Sequence, residues 1–150
     1  MIADLHLAIV HHLLVFSIFA IFAMQLSLVR PGLGGAGVRR LAAIDGAYGA
    51  IALGVLVVGF ARAVYGLKGW EYYSTYWVFW AKVGAFVLVG LLSIRPTMRF
   101  QRWKKAAAAD PGYVVADGEI SATRHMLHLE AVPLALIPVL AAMLARGVFY

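Results

Sequence analysis

The chain has 150 residues, 63% of them hydrophobic and 13% charged, with a net charge of +6 and no cysteine. Soluble domains are about one-quarter charged, so this composition places the chain in a lipid bilayer. Without cysteine there are no disulfides, no cysteine-ligated clusters and no covalent C-x-x-C-H attachment. In a membrane chain the placement of the cations matters more than their sum, and nucleic acid is not an expected partner.

The first predicted element covers residues 4–29: between Asp4 and Arg30 no charged side chain interrupts the run, and roughly 20 apolar residues suffice to span a bilayer core. No lysine or arginine precedes this run, so it reads as a retained helix rather than a cleavable signal. Within it stand His6, read as interfacial, and the adjacent pair His11 and His12. The "RPGLGGAGVRR" segment that follows lacks the G-K-[ST] ending of a phosphate-binding loop and reads as a tight turn. The second span, 39–64, carries Asp45 and Tyr48 and a row of small residues, Ala42, Gly46, Ala50 and Gly54. Spaced by four, these leave one face with little side-chain bulk, suited to a neighbouring helix or to a flat cofactor.

The third span, 76–95, holds a lysine, Lys82, where an intramembrane charge calls for a partner, a cavity or a task. Trp70, Tyr72, Tyr73, Tyr76 and Trp77 form an aromatic belt at its start. The basic stretch "RFQRWKKAAAAD" then reads as an amphipathic extension lying on anionic headgroups. The fourth span, 122–147, brings His125, His128 and Glu130, with Arg124 beside them. The expected architecture is thus an all-α integral membrane protein, a single four-helix transmembrane bundle. Arg30, Arg39 and Arg40 in one loop, and Arg95, Arg99, Arg102, Lys104, Lys105 and Arg124 in another, outweigh Arg62, Lys68 and Arg146 on the opposite side. The positive-inside rule then puts both loops in the cytoplasm and both termini outside a bacterial inner membrane, on the periplasmic or extracellular side.

At about 1.5 Å of rise per residue, His11 and His12 lie some 9–11 Å below the outer surface and Lys82 about 9 Å below it. One imidazole and one amine therefore share a level on two spans, as a haem held across a bundle requires. Lys82 would either ligate the iron as a neutral amine or pair with a propionate. Asp45, His128 and Glu130 form a second polar layer near the cytoplasmic edge, where Asp45 could pair with Arg40, Arg124 or a histidine and where Glu130 and His128 could take up protons. His125-x-x-His128 with one carboxylate is a sparse ligand set for a metal.

The motifs "IVHHLLVF", "RRLAAIDGAYG", "FWAK" and "LIPVLAAMLARG" resemble an uncharacterised bacterial family of small four-helix predicted membrane proteins. More distantly, a helix-one histidine, an Arg-Leu pair opening helix two and a Trp-x-Lys in helix three are similar to the HemJ-type protoporphyrinogen oxidases. That resemblance implies haem b, with His12 or His11 as the iron ligand, Trp80 and Lys82 as the paired helix-three residues and Arg40 as the matching arginine. The further histidine expected near the end of helix three is replaced by Ser93 to Arg95. The resulting expectation is a haem b oxidoreductase or electron-transfer protein that oxidises a porphyrinogen or similar small reductant and reduces quinone, with Trp80 and Tyr48 lining the pocket or relaying electrons. A homo-oligomer is compatible with it. The alternatives are a copper-handling or transport protein, with Met24 and Met126 among its ligands, and a non-catalytic accessory subunit.

Overall fold

A computed structural model describes residues 2–148, leaving the side chain of Ala3 aside. It contains α1 (Ile2–Leu28), α2 (Gly35–Tyr65), the short α3 (Gly69–Thr75), α4 (Trp77–Ala109) and α5 (Asp117–Arg146). Four of these, all but α3, are long and apolar enough to cross a membrane. Helix α1 packs on α2, α2 on α4, and α4 on α5. The turn between α1 and α2 follows from its residues: Pro31 cannot extend a helix, and Gly32 adopts φ 77°, a left-handed conformation that glycine tolerates best.

The basic loops gather at one end of the bundle, called here the basic end; α3, the start of α1 and the end of α5 lie at the far end. Arg124 of α5 ties the basic end together by donating to the carbonyls of Leu26 (3.4 Å) and Val29 (2.9 Å), at the end of α1 where carbonyls lack helical partners. An isolated antiparallel bridge between Gly34 and Val114, with Val115 N–H donating to Leu33 O, joins the two basic loops.

Two expectations change here. Helix α4 does not end near residue 95: its 33 residues span about 50 Å, well beyond a hydrocarbon core of about 30 Å. The basic stretch is therefore the continuation of α4, not a helix lying on headgroups. Phe100, Trp103 and Ala107, spaced by three and four, are buried in the same core as Val38, Leu41, Ile120 and Leu127, while Arg102, Lys104 and Lys105 face outward. Trp103 Nε1 donates to Glu119 Oε2 at 2.6 Å, and Arg102 pairs with the same carboxylate. The second change is at the far end, where the segment after α2 forms α3. Its aromatics pack edge-on against α4, Trp70 meeting both Phe79 and Trp80.

Candidate functional site

Between the helices at the far end lies a cavity of about 410 Å³ to which all four long helices contribute. Helix α1 supplies His11, His12 and Phe16, α2 supplies Gly59 and Phe60, and α4 supplies Phe79, Lys82 and Phe86. On α5, Pro138, Ala141, Ala142 and Ala145 line the wall; their small volume leaves the space that the aromatic side chains enclose.

The imidazole and the amine thus meet one cavity, as their shared level requires. His11 is half-buried, and its Nδ1 is sealed without a hydrogen-bond partner among the described residues. Its ring rests against Gly59, where a Cβ would stand 3.2 Å from His11 Cε1 and 3.6 Å from Nδ1. Any side chain there would press on the ring, which would have to give by a few tenths of an ångström. With Nδ1 enclosed, Nε2 is the nitrogen a ligand can reach. His12 sits on the exposed rim, its Nδ1 2.6 Å from the carbonyl of Ala8 one turn back. The structure therefore distinguishes two neighbours that the sequence leaves equivalent.

Lys82 is half-buried, its Nζ 6.0 Å from the centre of the Phe79 ring, and makes no ion pair with any carboxylate among the described residues. Arg62 buries its Nε without a partner among those residues and interacts electrostatically with both His11 and Lys82. Among the described residues, no acidic side chain lines the cavity. An apolar chamber lined by an amine, with no acidic side chain among its described lining residues, suits an apolar molecule that carries acidic groups.

Several expected members lie elsewhere. Trp80 is 47% exposed and donates its indole N–H to Ser74 O at 2.9 Å, outside the cavity; two residues from Lys82, it points about 200° away around the helix. Arg40 is exposed at the basic end, and the 19 residues separating it from Gly59 correspond to about 28 Å of helix. Tyr48 is buried but does not line this cavity; its hydroxyl donates to Glu130 Oε1 at 2.9 Å. Asp45 takes neither arginine nor histidine as partner: its Oδ1 accepts from Gln25 Nε2 (3.1 Å) and Thr97 Oγ1 (3.0 Å). His128 and His125 are exposed on α5 while Glu130 is buried, so His128 does not share a site with Glu130. Of the row of small residues, Gly54 packs on Leu14 of α1, while Gly46 borders open space.

Among the described residues, no three His, Cys, Asp or Glu side chains gather as a metal site. Met24, a suggested copper ligand, is 40% exposed.

Fold and cavity together define a four-helix membrane bundle with an apolar, cation-bearing chamber between its helices. The chain belongs to the predicted membrane protein family DUF2214, which it matches over residues 3–149. No curated protein and no solved structure shows significant similarity to it, so the family match carries the first resemblance and does not extend to the HemJ-type enzymes.

Proposed function

We propose that this chain holds haem b in the far-end cavity and works as a membrane oxidoreductase or electron-transfer protein. It would take electrons from a small reductant, a porphyrinogen among the candidates, and pass them to quinone. The observation that carries the reading is the convergence of His11 and Lys82, from α1 and α4, on one apolar cavity.

The residues present fit the group. An imidazole is the commonest protein ligand to haem iron, and the buried Nδ1 of His11 leaves the ring one nitrogen to offer. The cavity volume falls within the roughly 300–1,000 Å³ of ligand pockets. Lys82, which lines the cavity, would pair with an acidic group on the periphery, which answers why its charge is kept at this level of the membrane. Once bound, haem supplies one-electron chemistry that side chains lack. The chain's own part is to present Nε2, to exclude water with Phe16, Phe60, Phe79 and Phe86, and to balance acidic charge. In this reading the basic end faces the cytoplasm of a bacterial inner membrane and both termini face the opposite side.

The test is the absorption spectrum of the protein purified from haem-replete cells. A Soret band with α and β bands on reduction is expected. A colourless preparation contradicts the proposal, and stoichiometric copper or co-purification with a larger complex would point to the alternatives.

A further inference from the structure

The ring of helices around the far-end cavity is incomplete. Helix α1 packs on α2, α2 on α4 and α4 on α5, and no comparable packing joins α5 back to α1. These two helices meet at the basic end, where Arg124 of α5 bonds the Leu26 and Val29 carbonyls at the end of α1. At the far end α5 is fastened to the other side of the bundle. The Tyr72 hydroxyl of α3 donates to Leu144 O at 3.5 Å, and Lys68, just before α3, donates to Ala145 O at 3.5 Å. Helices α1 and α5 are thus tied at the basic end, and at the far end both border the cavity.

The exposure of the lining follows the same division. The wall given by α2 and α4 is buried or half-buried, apart from Leu56, which is 37% exposed. On α1 the lining residues His12 and Phe16 are exposed, Phe16 to 68%, and on α5 Pro138, Ala142 and Ala145 are exposed. The cavity therefore has a mouth in the seam between α1 and α5. From Ala145, in the last turn of α5, the mouth runs inward to Phe16, which lies about 17 Å below the far surface at the rise of a helix. Most of its length faces acyl chains rather than water.

We propose that this seam is a lateral entrance through which a membrane-dissolved, long-chain carboxylic acid reaches Lys82, its carboxylate at the amine and its tail trailing through the mouth into the bilayer. The lining is apolar except for Lys82 and the two histidines, and the amine lies about 9 Å below the far surface. A phosphodiester headgroup keeps its charge and stays at that surface, because an unpaired charge is costly in hydrocarbon. A carboxylic acid sheds its charge on protonation and can enter the lipid. Giving that proton to a neutral Lys82 amine then makes a carboxylate–ammonium pair, and no net charge has crossed the hydrocarbon. The entrance serves haem, itself a lipid-soluble acid, and equally any other molecule of that class, so it goes beyond the haem reading.

The test places the protein in phosphatidylcholine liposomes with a fluorescent long-chain fatty acid, read by energy transfer from the chain's tryptophans. Saturable uptake is expected, displaced by unlabelled palmitate and unchanged when phosphatidylglycerol is added to the bilayer. Lys82→Met should weaken it about tenfold or more, the equivalent of a lost hydrogen bond to a charged group. Ala142→Phe, which narrows the mouth from an exposed position, should slow entry about tenfold, the rate equivalent of an overfilled site. Leu136→Phe, exposed on α5 but outside the cavity lining, should leave entry unchanged. Should Lys82→Met fail to fold, the comparison of the two phenylalanine variants decides. Absence of saturable uptake, as a seam sealed by a second copy would give, displacement by phosphatidylglycerol, or equal entry rates in the two phenylalanine variants overturns the proposal. In a coloured preparation uptake is read as displacement of the pigment. A Soret band with unaltered entry in Ala142→Phe sinks the entrance alone, whereas a colourless protein that takes up the fatty acid sinks the haem reading alone.

Discussion

Replacing Trp103 with alanine tests whether the basic stretch is a buried part of the bundle. The side chain has no exposed surface, and a buried tryptophan removes roughly 150–250 Å² from water. At about 25 cal/mol per Å² that is about 4–6 kcal/mol, an upper estimate because the unfolded chain already hides part of its surface. Core truncations of this kind cost about 3–5 kcal/mol. The lost indole hydrogen bond adds little, because Glu119 is more than one-third exposed and keeps Arg102. We expect Trp103→Ala to lose about 4 kcal/mol and Trp103→Phe clearly less, measured by unfolding in mixed micelles followed by circular dichroism. A loss within about 0.5 kcal/mol, the range of ordinary surface substitutions, would refute the reasoning, the more so if binding to anionic vesicles fell instead, as a helix lying on headgroups would show.

Gly59→Val should push the His11 ring from its place and deplete bound pigment, while Gly46→Val, at a position open to space, should retain it; the haem-to-protein ratio after purification reads the difference. Lys82→Met is expected to leave the absorption maxima in place and to weaken pigment retention about ten- to a hundredfold, the equivalent of a lost hydrogen bond between charged groups. A shifted spectrum would instead make Lys82 an iron ligand. Arg124→Ala should free the Leu26 and Val29 carbonyls, at a cost of about 1.5–3 kcal/mol, and speed hydrogen exchange in the last turn of α1; unchanged exchange there would remove the arginine's role as a tie.

The four spans and the level shared by His11 and Lys82 were legible because both depend on distance along a helix, which charge-free runs and a fixed rise reveal. Rotation was harder. Trp80 beside Lys82, and His128 beside Glu130, sit two positions apart and face nearly opposite ways, a conflict that helical period alone exposes once the inward residue of each pair is chosen. The basic stretch read as amphipathic, and the density of arginine and lysine suggested headgroup contact; that its apolar face, Phe100, Trp103 and Ala107, is buried in the core depends on the packing of α5. The burial of the Arg62 Nε was not legible, because the stem is long enough to reach either the interface or the bundle interior and only packing decides. Asp45 found Gln25 and Thr97 because neutral donors on α1 and α4 lie where no cation reaches, a matter of tertiary geometry that no local pattern encodes.

The proposed haem site turns on one ring. Absorption spectra of His11→Ala and His12→Ala, purified side by side with the unaltered protein, test it most directly. Loss of the Soret band in His11→Ala with its retention in His12→Ala is the predicted outcome; retention in His11→Ala, or a colourless parent protein, would contradict it.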